Sequence, residues 1–306
     1  MNIVQKPAKE PVLSFPANNQ KPVIITPLDS VLTEAEADLF SKHRPYGFIL
    51  FGKHCENPDQ VKALVKALKD SAGNDCIISI DQEGGRVARM REPQWQNFPT
   101  AADMNDPYET YKQLGTMLKD EGIDVNFAPC LDVVPQGCRA DAIGDRCFSS
   151  DPETCGLKGI EACRGLLDSG IVPVIKHMPG HGRAVEDSHY HLPVVNALQK
   201  DLLKDLEAFK TIVKSGLPVA GMTCHVIYEC WDKYNPATLS KTVINDIIRD
   251  EIGFTGLLFS DDLVMKALDS YGDMITRVHS SLNAGCDVAM PCHTTLDQTQ
   301  IILESL

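Results

Sequence analysis

The chain has 306 residues, 43% hydrophobic and 23% charged, an ordinary composition for a soluble globular protein whose core needs neither disulfides nor a structural metal. Its net charge of −13 argues against a nucleic-acid or anionic-membrane surface, and leaves room only for a local basic pocket. Eleven scattered cysteines without CxxC spacing, no apolar leader and no run of 18 apolar residues predict a free-thiol protein of a reducing cytoplasm.

Residues 1–20 are rich in proline and lack periodicity, which predicts an extended N-terminal arm. From there eight short apolar runs follow in chain order. They are PVIITPLD (22–29), GFILFG (47–52), CIISIDQE (76–83), VNFAPCLDV (125–133), VPVIKHM (172–178), VAGMTCHV (219–226), TGLLFSDDL (255–263) and CDVAMPC (286–292). Runs without alternation predict strands buried on both faces of a parallel sheet. Amphipathic helical segments lie between them, and several end on glycine just before the next strand: Gly122, Gly170, Gly216, Gly253 and Gly285. Eight strand–helix pairs predict a single α/β domain, a (β/α)8 barrel over residues 21–306. No GxGxxG or GxxxxGK[ST] follows a strand, so a dinucleotide or P-loop fold loses its support.

Seven of the eight runs end in charge or histidine: Asp29, Lys53, Asp81, Asp132, Lys176 with His177, His225, and Asp261 with Asp262; the eighth ends at Cys292. Charge collected at the C-terminal rim of a barrel predicts a site there. The segments after the third, fourth and fifth strands are also longer than usual connections, and long loops tend to carry function.

The stretch KHMPGHGRAVEDSHYHLP (176–193) holds four of the nine histidines. Zinc is one reading: His177 and His181 share a helical spacing that Pro179 and Gly180 forbid, while His189 and His191 with Asp187 could chelate in an extended loop; no metal is expected. A structural loop is a second reading, since Gly180 and Gly182 permit unusual backbone angles and a close approach. Acid/base chemistry is a third. Asp187 and His189 are two residues apart, so in an extended loop both project to one side, where a carboxylate orients an imidazole and stabilises its charged form. The carboxylates of FSDDL supply the missing partner on the seventh strand.

Together KHMPGHG, EDSH, DQEGGRV, NFAPCLDV, GDRCF, PATLS and LLFSDD resemble the bacterial β-N-acetylglucosaminidases of glycoside hydrolase family 3, along most of the chain. The resemblance implies a single-barrel retaining exo-hydrolase acting on peptidoglycan fragments, without a cofactor and as a monomer. It implies Asp261 as nucleophile, His189 as acid/base and Asp187 as its orienting partner. Asp81, Arg89, Arg146, Lys176 and His177 match the positions that hold the terminal N-acetylglucosamine. Asp262 then fixes neighbouring backbone, His181 is structural, and Arg86 and His225 remain open between supporting and contacting roles. Arg183 and Glu186 depart from the pattern of the loop, and Arg183 is weighed as a contact for an acidic leaving group. Two rivals stand beside this reading: a β-glycoside phosphorylase, because an imidazole acid does not repel phosphate, and a catalytically silent sugar-binding protein.

Overall fold

The structure is a computed structural model and describes residues 11–306. The first ten residues of the expected arm lie outside the described residues. Residues 11–20 carry no helix or strand. They pack against the barrel, where Leu13 meets its interior cluster and the Tyr46 hydroxyl donates to the Ser14 carbonyl at 2.7 Å.

Eight parallel strands close into a barrel. In chain order the strands are β1 (Lys21–Ile25), β2 (Pro45–Leu50), β3 (Ile77–Ile80), β4 (Val125–Asn126), β5 (Val172–Met178), β6 (Val194–Val195), β7 (Ala220–Thr223), β8 (Ile227–Tyr228), β9 (Leu258–Asp262) and β10 (Val288–Met290). The closed order is β1-β10-β9-β7-β5-β4-β3-β2, and β6 pairs with β8 in a separate ribbon. Inside and outside alternate along each barrel strand, as the pleat requires. Ile24 and Ile49 join Val125, Phe127, Val174, Met222 and Phe259 within the barrel, while Val23, Ile25, Phe48 and Leu50 face the helices. Phe127 meets Phe259 edge-on, with ring centroids 5.4 Å apart. Both faces are buried, so the unalternating runs follow from packing on two sides.

The helices are α1 (Glu34–His43), α2 (Pro58–Ala72), α3 (Pro107–Asp120), α4 (Pro152–Asp168), α5 (Gln199–Asp205), α6 (Glu207–Ser215), α7 (Met274–Ala284) and α8 (Leu296–Ser305), with a π-helical segment at Val243–Glu251. Asn57, Asp106 and Asp151 cap α2, α3 and α4 ahead of a proline in the first turn. All five glycine stops have positive φ, from 71° at Gly216 to 121° at Gly285.

Three boundaries differ from expectation. The run 125–133 yields only two residues of strand, because Pro129 supplies no N–H and the chain keeps a lone bridge from Cys130 to Lys176. The long helix after the histidine stretch is divided in two at Leu206, whose φ and ψ stay helical at −66° and −20°. The segment after residue 242 winds as a π-helix rather than an α-helix.

Candidate active site

Asp81, Arg89, Arg146, Lys176, His177, Asp187, His189 and Asp261 all line one open cavity of about 230 Å3 at the C-terminal end of the barrel. Ile49, Met222 and Met290 contribute apolar lining.

One wall is a lattice of buried charges. Asp81 directly follows β3, and the Lys176 ammonium on β5 sits 2.8 Å from its Oδ1; Arg89 Nη2 lies 3.4 Å from its Oδ2. Glu83 receives Arg146 through both oxygens, at 2.7 and 2.8 Å, and Lys176 at 2.7 Å. Burial alone raises a carboxyl pKa, yet Lys176 and Arg89 hold Asp81 below its ordinary value, and Arg146 with Lys176 hold Glu83 well below it. Asp81 and Glu83 in turn keep Lys176 charged against its burial, with only 3% of its side chain exposed. Arg89 also stacks over Phe51, 5.5 Å from the ring centroid.

Behind this wall lies Asp132, fully buried. Its Oδ2 accepts from His177 Nδ1 at 2.6 Å and from the Cys130 thiol at 3.2 Å; its Oδ1 accepts the His177 and His181 backbone N–H groups. The Nδ1–H bond fixes the tautomer of His177 and turns Nε2 toward Arg146, 3.4 Å away. Lys176 and His177 are sequence neighbours that both line the cavity, and the peptide joining them is cis. Sequence reasoning did not single out Glu83, and it noted Asp132 only as one of the charged strand ends. Glu83 stands two residues from Asp81, a spacing that places both on one side.

The opposite wall comes from β9 and the loop after β5. Asp261 Oδ1 accepts the Asp262 N–H at 2.8 Å. Burial pushes its pKa up, but His225 and His177 outweigh that and leave it below the ordinary value. Asp262 has the opposite balance. Burial raises it to about 6, although its Oδ1 accepts from the Val264 and Cys292 N–H groups at 3.0 and 3.2 Å. Asp262→Asn keeps both acceptor contacts, whereas Asp262→Ala orphans two backbone donors. The alanine variant is therefore expected to lose about 1–3 kcal/mol more in urea unfolding than the asparagine variant.

His189 Nδ1 is 2.7 Å from Asp187 Oδ1, which also accepts the His189 N–H at 2.9 Å. The pair reaches out from the loop, with 66% of the His189 side chain exposed. Gly182 lets the loop start tight against the barrel, since a Cβ there would stand 1.8 Å from the Val133 carbonyl oxygen.

Four residues take places that the sequence left open or placed otherwise. Arg183 is no leaving-group contact, because its guanidinium turns away to Asp205, 3.1 Å from Nη2 to Oδ1. Arg86 lines the cavity while held by Asp145 at 3.1 Å and by the carbonyls of Ala142 and Ile143. His225 is fully buried behind the cavity, between Thr238 Oγ1 at 2.8 Å and the Asp262 carbonyl at 2.9 Å. Glu186 is exposed on the loop.

Of the histidines weighed as zinc ligands, His177 and His181 have ring centroids 5.9 Å apart, and Asp187, His189 and His191 form no close donor trio among the described residues. Among the described residues the one trio of close metal donors is Cys130, Asp132 and His177, and hydrogen bonds already join these three. A buried imidazole–carboxylate pair at 2.6 Å fits a hydrogen bond. Dialysis against EDTA is expected to leave activity within about twofold, and its loss with recovery on adding zinc would assign the trio a metal.

A model of the glycosyl hydrolase family 3 N terminal domain matches residues 24–306. The chain belongs to glycosyl hydrolase family 3. It is 33% identical over 281 residues to a β-hexosaminidase of Haemophilus influenzae, covering 89% of this chain and 79% of that protein. A β-hexosaminidase of Thioalkalivibrio sulfidiphilus is 35% identical over 298 residues, 93% of this chain and 84% of that protein. Among solved structures, NagZ of Neisseria gonorrhoeae in complex with N-trifluoroacetyl-D-glucosamine superposes with a TM-score of 0.84 at 31% identity, over 92% of this chain and 85% of that one. A family 3 β-N-acetylglucosaminidase from Paenibacillus also gives 0.84 at 30% identity, and the chain spans 56% of its length. This family 3 chain is thus a glycoside hydrolase built on a closed (β/α)8 barrel. Among its described residues no helix is long and apolar enough to cross a membrane.

Proposed function

We propose that the chain is a retaining exo-β-N-acetylglucosaminidase that removes a terminal N-acetylglucosamine from peptidoglycan-derived fragments. The observation that carries this reading is one cavity lined both by a carboxylate on β9, Asp261, and by an imidazole–carboxylate pair, His189 with Asp187, on the loop after β5. The names of the relatives support the sugar and the bond; the sequence resemblance supports the peptidoglycan source.

In the first step Asp261 attacks C1 of the sugar and the C1–O bond to the leaving group breaks. The His189 Nε2 proton moves to the departing oxygen, leaving a glycosyl ester on Asp261 and a neutral imidazole. In the second step that imidazole takes a proton from water, whose oxygen attacks C1 and frees Asp261. Two inversions retain the anomeric configuration. Asp187 holds the Nδ1–H throughout and orients the ring. The wall of Asp81, Arg89, Arg146, Lys176 and His177 recognises the hydroxyls and the acetamido group. Buried charges discriminate there because a sugar of the wrong shape leaves them unpaired.

The test compares aryl N-acetylglucosaminide with aryl glucoside and follows the first sugar released by NMR. The expected result is strong preference for the N-acetyl sugar and a β-configured product. An α-configured first product would overturn retention. Release of a glycosyl phosphate in phosphate buffer, in place of free sugar, would make the enzyme a phosphorylase.

A further inference from the structure

The loop carrying Asp187 and His189 is tied down at both ends. At its start the Tyr228 hydroxyl donates to the Gly180 carbonyl at 2.7 Å, and Arg183 is held by Asp205. At its end β6 pairs with β8, with the Ile227 N–H on the Pro193 carbonyl at 3.0 Å. Between these anchors the loop stands in water. Val185, Glu186, His189, Tyr190 and His191 are all exposed.

Ser188 breaks this pattern. It is the one buried residue from Val185 to Leu192, only 4% exposed, although it sits between the two members of the exposed pair. Its hydroxyl is 3.3 Å from His181 Nε2, and its carbonyl accepts the Ala267 N–H at 3.3 Å, just beyond the strand that carries Asp261. His181 is itself fixed, buried and bound through its backbone N–H to Asp132. Its Nδ1 has no partner among the described residues, so Ser188 is the hydrogen-bond partner of the ring.

We infer that Ser188, through its hydroxyl on His181, is the catch that holds the acid/base loop over Asp261, a positioning residue for proton transfer to the leaving group. The inference rests on the acid/base reading of His189. The two bonds of Ser188 bridge from the floor of the loop to the segment beyond the nucleophile's strand. They set where the imidazole stands between those anchors. A positioning role of this kind has a kinetic signature, because only a poor leaving group needs its oxygen protonated as the bond breaks.

The experiment measures kcat/KM for 2,4-dinitrophenyl and phenyl N-acetylglucosaminides with the parent, Ser188→Ala, His181→Ala, the double variant and His189→Ala. Ser188→Ala is expected to lower the phenyl value roughly tenfold while the dinitrophenyl value stays within about twofold. His181→Ala should reproduce that split, and the double variant should be no worse than the poorer single one, since both remove one contact. Hydrogen exchange of the amides of residues 184–192 should quicken in both single variants. Equal losses on both substrates, no loss on either, or additive losses in the double variant would overturn the catch. If His189→Ala shows the leaving-group split and Ser188→Ala does not, the catch alone fails. If His189→Ala shows none, the acid/base assignment fails and takes the catch with it.

Discussion

Asp261→Asn is expected to lower kcat/KM on an aryl N-acetylglucosaminide by on the order of 10⁴-fold, with the fold intact. An amide is nearly isosteric with the carboxylate and still accepts the Asp262 N–H through its oxygen, so the local backbone keeps its support. It is no nucleophile toward C1, and no glycosyl ester forms. The change also removes a charge that His225 and His177 favour more than burial disfavours it, so melting temperature should hold or fall slightly. Initial rates beside a thermal melt decide the matter. Turnover within tenfold of the parent, with the variant shown free of parent enzyme, would take the nucleophile's role away from Asp261.

Lys176→Met should damage stability and binding together. One ammonium serves Asp81 at 2.8 Å and Glu83 at 2.7 Å, and removing one partner of a buried ion pair costs about 3–5 kcal/mol. Glu83 retains both bonds from Arg146, while Asp81 is left with Arg89 at 3.4 Å, so Asp81 suffers the larger share. The pH dependence follows from the sign of the shift. The Asp81 and Glu83 pKa values are depressed in the folded parent, so their contribution is present above the unfolded carboxylate range and fades as pH falls through it. The stability gap between parent and variant, from urea unfolding, should therefore be widest near neutral pH. It should narrow on acidification below about pH 4. A gap under about 1 kcal/mol at pH 7 would mean that the pairs are screened like surface ones.

The barrel was legible because its strands are buried twice over. Packing on both faces demands unbroken apolar runs, and left-handed helix stops demand glycine, as at Gly122 and Gly285. Asp81, Lys176, His177 and Asp261 were legible because each stands at the end of a run, and Asp187 with His189 through their spacing, whereas Arg89 and Arg146 were reached only through the family resemblance. What the sequence hid is partnership across distance. Nothing local in DQE indicates that Glu83 clasps Arg146 from the loop after β4 and Lys176 from β5. The same holds for Asp132, whose charge reads as a mere strand end until four contacts converge on it. Arg183 misleads for a related reason. Its place in the histidine stretch suggests the site, but an acid on α5, Asp205, holds it away from the cavity. The short β4 is a different case, where an apolar pattern survives but Pro129 withholds the donor that a ladder requires.

The contact of Gly182 with the Val133 carbonyl has a practical consequence for remodelling the enzyme. It fixes a seam between the segment after β4 and the start of the loop that carries Asp187 and His189. Loops of different length or composition spliced in between Arg183 and Pro193, with Asp187, Ser188 and His189 kept, should alter which leaving groups are accepted, while the chosen monosaccharide stays the same.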